Sequence, residues 1–593
     1  MFHLCSSVAI SSAVGPRLVA ALCLFFVYFA VPSAYSDDLV TQLRQPIALE
    51  LSADGAWLYV ANRDSGSISS ISLVSAQLAR EQKIGERLTD LTAIPNTSRL
   101  LATDEGRHEL VILETRGKEV SLLHRIPISP YPVSILVDPN GKQASIASLW
   151  SRRLTVVSLD SDGPKIKQVI DLPFAPRAQL FLPGPGKLLV ADAFAGKLAI
   201  IAAQTFRIEA IREIPGHNIR GLGVSPSGEM LVVSHQMLND LAHSIRNDIH
   251  WGLLMSNDLR WLKVESVLTG GDHLYRGGHM HPLGDSGRGG GDPGPLAVAA
   301  DGHVVVTISG VNEVAFGKEG DFSMQRVKVG RRPTAVKLST DGSKAFIANT
   351  FGDSISILSL AERSITATIL LGSSPDLSLT QRGELLFYDA RLSHDGWMSC
   401  HSCHTDGHAN GHMNDNFSDR SFGAAKRVLS LLDVKDTLPL SWTGQVQSFE
   451  RQIHNSVENT MQREDTLPSE DVAAIATYLK TLKLPPPLDD LRGTRDPAAI
   501  ERGRLVFDRR ICATCHAPPH YTSSDVYDVG LRDSQGVKEF NPPSLRGVSH
   551  RGPFFHDSRA STLEDVFQKY GHPSDSPYSP GEVRDLSAFL RSL

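Results

Sequence analysis

The chain has 593 residues, of which 41% are hydrophobic and 21% charged. That is ordinary globular composition on a chain too long for one hydrophobic core, so two or more domains are expected. A net charge of −6 spread over this length, with no Lys/Arg block, excludes nucleic acid and anionic membrane surfaces as partners.

The first segment, 1–36, reads as a secretory signal peptide. Arg17 precedes an apolar run of about 14 residues, and Ala34 and Ser36 form a small-residue cleavage site before Asp37. The run is short of the roughly 20 residues that a spanning helix needs, so no membrane span is expected in the mature form. Export to the periplasm follows. Of six cysteines, Cys5 and Cys23 fall in the removable segment, which leaves Cys400, Cys403, Cys512 and Cys515.

From 37 to 374 an apolar strand, a polar turn and an alternating strand recur. The clearest copies are "SADGAWLYVANRDSGSISSISL" at 52–73 and "STDGSKAFIANTFGDSISILSL" at 339–360. A spacing of about 42 to 45 residues is that of a four-stranded propeller blade, and the copies number seven, predicting a seven-bladed β-propeller. The D-G and S-G dipeptides supply hairpin turns with positive φ. The repeats resemble the YVTN family of β-propellers. One blade is expected to carry an insertion at about 236–295, rich in histidine and ending in a Gly-rich stretch, which reaches over the following domain. Its "HMH", His279 to His281, has no spaced Cys or carboxylate partner.

Beyond 374 the period becomes helical and a second repeat appears: "RGELLFYDARLSHDGWMSCHSCH" at 382–404 is echoed by "RGRLVFDRRICATCH" at 502–516. The segment 469–490 reads as an amphipathic helix with Ser469 as N-cap, closed by Pro485 to Pro487, and the chain's last residues echo it. Helix, motif, excursion and closing helix is the layout of a class I cytochrome c domain. Two such α-helical domains are expected, 375–487 and 488–593, in a multidomain chain headed by the all-β propeller.

Both motifs read C-x-x-C-H, the attachment pattern of c-type haem. In an exported protein a disulfide would be the default reading, and two C-x-x-C pairs also suit a zinc ribbon, but neither gives a role to the histidine that follows each pair. Two covalently bound haem c groups are therefore expected: Cys400 and Cys403 with His404 as proximal ligand, and Cys512 and Cys515 with His516. His401 reads as a spacer, and His408 and His412 stay unassigned. The second iron's other ligand cannot be a methionine of its own domain, since none follows Met461. His520, His550, His556, His572, Tyr521, Tyr527 and Tyr570 remain as candidates.

The segment "NPPSLRGVSHRGPFFHDSRASTLEDVFQKYGH" at 541–572 resembles the P-S-L-R-N-V…P-Y-F-H-D-G…T-L-E-E-V segment of bacterial di-haem cytochrome c peroxidases and MauG-type enzymes. The resemblance implies an oxidoreductase that uses hydrogen peroxide to oxidise a redox protein or a protein side chain, or alternatively a non-catalytic electron-transfer protein with the propeller as docking domain. It places Tyr570 as second ligand of the His516 haem. Through "LPLSWTGQVQSFERQIHNSVENTMQ" at 438–462 it implies Trp442 between the haems and Gln452 in the distal pocket of the peroxide-binding haem. It also raises one Ca2+ between the haem domains. Two positions depart from the family: its distal proline falls at Ser456 and its proton-moving glutamate at Gln462, with Glu458 and Glu464 nearby. An amide cannot relay protons as a carboxylate does.

Overall fold

A computed structural model describes residues 43–593 except 161–162, 183, 374, 418–420 and 574–575. The expected signal peptide lies outside these residues. No helix among the described residues is long and apolar enough to cross a membrane.

Seven four-stranded antiparallel sheets follow one another between Pro46 and Leu370, each with its strands in sequence order. They form a seven-bladed β-propeller. The repeated residues explain the repeated shape. Asn62 donates to Ser67 and Ser69 Oγ at 2.9 Å each, and its counterpart Asn349 donates to Ser354 and Ser356 Oγ at 3.1 and 2.9 Å, so one buried amide ties two strands in the first blade and in the last. Gly55 and Gly342 occupy equivalent hairpin turns at φ +69°. Each blade is contiguous in sequence, so the ring must close by packing. Leu58, Val60 and Ile71 of the first blade bury against Phe346, Ala348 and Ile355 of the last. The Asp353 carboxylate accepts from the backbone N–H groups of Arg44 and Gln45, the latter at 2.9 Å.

The segment 236–295 is not a separate excursion. Met230–Leu238, Met255–Lys263 and His279–Pro282 are three strands of the fifth blade, and the surplus residues lengthen the connections between and after them. These connections cross onto the helical region. Ile249, Leu254 and Met255 are fully buried in one core with Phe387, Trp397, Met398 and Ile475. Each such side chain contributes about 1.5–3 kcal/mol to holding the two parts together.

The helical region is built of two similar units. In the first, Leu379–Phe387 crosses Ser469–Leu479; in the second, Pro497–Arg509 crosses Pro580–Arg591. Both crossings pivot on the Gly of the repeated Arg-Gly. A Cβ on Gly383 would lie 2.0 Å from the Ala474 carbonyl oxygen, and one on Gly503 would lie 2.0 Å from that of Asp585. The preceding arginines pin the same crossings, Arg382 to Asp471 and Arg502 to Asp585, at 2.8 Å each. Between the units the short helix Leu488–Arg492 is tied to the propeller, Arg492 donating to the carbonyls of Ser151, Arg152 and Leu172.

Candidate functional site

The two C-x-x-C-H motifs adopt the same local turn. Cys400–Cys403 forms one helical turn and Cys512–Thr514 a 3-10 turn, and in each the histidine N–H bonds the first cysteine's carbonyl at 2.9 Å. All four cysteines are free thiols. Burial pushes Cys400 and Cys403 up to about 12 and Cys512 up to about 11, so these sulfurs stay protonated at neutral pH. His404 Nδ1 faces the Leu429 carbonyl at 2.9 Å and His516 Nδ1 that of Tyr521 at 3.2 Å. Burial pushes both imidazoles down to about 4. Each ring is thus neutral with its proton on Nδ1, which leaves the Nε2 lone pair for a metal.

Both motifs line one cavity of about 900 Å³. Its wall holds two buried guanidiniums, Arg427 and Arg551, and burial pushes each down to about 10. They also repel one another, and Arg551 Nε has no hydrogen-bond partner. Arg427 donates to the Phe555 carbonyl and Arg551 to those of Ser544 and Leu432, with Asp433 attracting Arg551; haem propionates would add carboxylate partners to this positive wall. Paired thiols, oriented imidazoles and guanidiniums around one cavity fit two c-type haems.

Trp442 joins the two units. Its Nε1–H donates to the Arg427 carbonyl at 2.8 Å, its carbonyl accepts from Asn541 N at 2.8 Å, and its ring meets His556 edge-on at 6.3 Å. Gln452 also lines the cavity, on the helix Phe449–His454; its Nε2 donates to Ser456 Oγ at 3.2 Å and its Oε1 is buried without a partner.

Two expected site residues lie elsewhere. Gln462 closes the π-helical turn Asn455–Thr460 at φ +54° and donates to Ser244 O of the propeller at 3.0 Å, because that backbone reversal turns its side chain away from the cavity. Glu458 pairs with His454 and Glu464 with Arg246, so neither takes its place. The wall contributed by residues 387–479 carries no carboxylate among the described residues. Tyr570 is absent from the cavity wall, its hydroxyl donating to the Arg559 carbonyl at 2.7 Å. His572 lines the cavity instead, with burial and then the neighbouring His516 pushing it down to about 4.

How the propeller holds the first motif was not legible from the motifs. The Asp292 carboxylate accepts from Ser399 and Ser402 Oγ at 2.6 Å each, His217 Nε2 bonds the Ser402 carbonyl at 2.9 Å, and Asn257 donates to the Trp397 carbonyl at 2.9 Å. His401, read as a spacer, is 1% exposed, against Tyr388 at 4.7 Å and Arg220 at 3.3 Å. His408 sits among Trp150, Phe194 and His550, and His412 lies 5.2 Å from His217. The fifth blade and the connection into the sixth thus clamp the back of the first haem motif, and the third and fourth blades pack on His408 just beyond it.

Residues 378–485 match the family model described as di-haem cytochrome c peroxidase. The chain is 28% identical over 272 residues to methylamine utilization protein MauG of Methylorubrum extorquens, covering 36% of this chain and 76% of that protein. It is 22% identical over 312 residues to cytochrome c551 peroxidase of Nitrosomonas europaea, covering 42% and 92% respectively. Among solved structures, Kuenenia stuttgartiensis hydrazine synthase aligns with a TM-score of 0.48 at 18% identity, covering 54% of this chain and 97% of that one.

Proposed function

We propose that this chain, a homologue of MauG and the di-haem cytochrome c peroxidases through its C-terminal region, is an exported periplasmic oxidoreductase that uses hydrogen peroxide to oxidise a redox protein or a protein side chain. The observation that carries this reading is the single cavity lined by both C-x-x-C-H motifs with Trp442 in its wall. Each helical unit is read as a class I cytochrome c domain with one haem c, attached through Cys400 and Cys403 or Cys512 and Cys515.

The two haems, when bound, supply the redox chemistry: peroxide takes two electrons and two protons to give two waters, and the partner loses the electrons. The chain's own residues set the rest. His404 and His516 are the proximal ligands, each oriented by a backbone carbonyl. His572, which lines the cavity where Tyr570 does not, would be the second residue holding the His516 haem. Gln452 would offer its unpaired carbonyl oxygen to an oxidant in the cavity, orienting it by accepting a hydrogen bond. Trp442, bonded to both units, couples the two sites. The propeller is the rigid base of the first motif.

A second reading, electron transfer without peroxide turnover, is favoured by one observation. Among the described residues no carboxylate stands on the His404 side of the cavity, and Gln462 faces the propeller. Rapid mixing of the ferric holoprotein with one equivalent of peroxide separates the two. Spectral change at both haems supports turnover, and an unchanged spectrum supports the second reading.

A further inference from the structure

The histidine-rich connections of the fifth blade lead to a cluster that the haem chemistry does not use. His281 of the "HMH" is satisfied within the blade, accepting from Trp261 Nε1 and bonding the Asp321 carbonyl, both at 2.9 Å. His250, from the connection between the second and third strands, instead reaches the loop that leads into the first haem motif. Its Nδ1 lies 2.7 Å from Asp395 Oδ2, and His394 Nε2 lies 3.2 Å from the same oxygen.

We propose that His250, His394 and Asp395 form a binding site for a divalent transition-metal ion of the zinc class, bridging the propeller and the approach to the first haem motif. One ligand atom from each of the three lies within 4.8 Å of the others, the only such grouping of three among the described residues. Bonds of about 2.0–2.1 Å in a tetrahedral site separate ligand atoms by about 3.3 Å. The His394 contact is already at that separation, and the His250 contact needs to open by only about 0.6 Å.

Ser286 can serve either tautomer of His250. In the metal-free chain His250 Nδ1–H donates to Asp395 and the Ser286 hydroxyl donates to Nε2, 2.6 Å away; an ion that displaces the Nδ1 proton would leave Nε2–H donating to Ser286 Oγ. Asp395 is held at φ +58°, with its carbonyl accepting from Gly289 N at 2.6 Å. The neighbouring cations are engaged: Arg391 by Asp389, Arg246 by Glu464, and Arg463 by the Asp465 carbonyl. A surface cavity of about 830 Å³ opens on the cluster, giving an ion its path and a water or anion the fourth position.

The test is equilibrium dialysis of chelator-stripped holoprotein against Zn2+, with zinc counted per chain by elemental mass spectrometry. The wild type should retain one zinc. His394→Ala and Asp395→Asn should bind it at least about 100-fold more weakly, Ser286→Ala about tenfold. His281→Ala should bind as the wild type does. His250→Gln, at a partly exposed position, serves where a variant loses its haem or its circular dichroism. A wild type that retains no zinc, equal retention in the ligand variants, or loss on His281→Ala overturns the proposal.

Discussion

The Asp406 carboxylate, just past the first proximal histidine, accepts from Arg220 Nη2 at 3.0 Å across the boundary between propeller and haem unit. Arg177, from the blade before, shares the same carboxylate. The two guanidiniums, foremost Arg177, hold the Asp406 carboxyl well below its ordinary value of 3.8 in spite of its burial. Asp406→Asn leaves two cations facing one another. It is expected to destabilise the docked arrangement by about 3 kcal/mol, seen as an earlier first transition in thermal unfolding.

The same pair has a pH signature. A carboxyl depressed by folding contributes stability that is present above its unfolded value and lost as pH falls through the folded one. Docking in the wild type should therefore weaken only below the ordinary value of 3.8. The Asp406→Asn protein should lack that component of the acid transition when the two are followed by tryptophan fluorescence.

The second haem discriminates between residues two positions apart. If His572 is the ligand, His572→Ala converts that haem from low to high spin in ferric electron paramagnetic resonance, and Tyr570→Phe leaves it unchanged. The hydroxyl of Tyr570 supports only the Arg559 carbonyl, so its loss should cost about 1 kcal/mol of stability.

Arg551 gives an electrostatic test. Its guanidinium lines the cavity, donates to the Ser544 and Leu432 carbonyls and is attracted by Asp433, so Arg551→Gln should destabilise the haem-free chain by about 1–3 kcal/mol. In the holoprotein the same change would remove a positive charge beside the haem site. The reduction potential should then fall, as measured by spectroelectrochemistry.

Trp442→Phe retains an aromatic ring but leaves the buried Arg427 carbonyl without its donor, a cost of about 1–3 kcal/mol. Electron equilibration between the haems, followed by flash photolysis, should slow while both haems remain attached.

What the sequence revealed and what it hid divide on physical grounds. Haem attachment is local chemistry, so the expectation for Cys400, Cys403 and His404 rests on five consecutive residues. The propeller could be read because its turns and its Asn62-type amides recur. The Arg-Gly repeats at 382 and 502 marked helices whose crossing tolerates no side chain on the glycine. Ligand placement was less legible. Tyr570 and His572 follow the short helix Leu563–Gln568, where the path of the next few residues decides which one enters the cavity. Gln462 was misplaced because a π-helical turn and a left-handed residue are invisible to motif counting. His401 was read as a spacer because the residues that bury it, Arg220 and Tyr388, are distant in sequence or outside the motif.

The central claim is that one cavity holds two covalent haems, one with an open coordination position beside Gln452. Ferric electron paramagnetic resonance of the matured protein, with haem count by intact mass on the same sample, tests it most directly. Two haems with one high-spin and one low-spin signal, both altered by peroxide, is the predicted result. Two low-spin haems that peroxide leaves unchanged, or fewer than two haems attached, would contradict it.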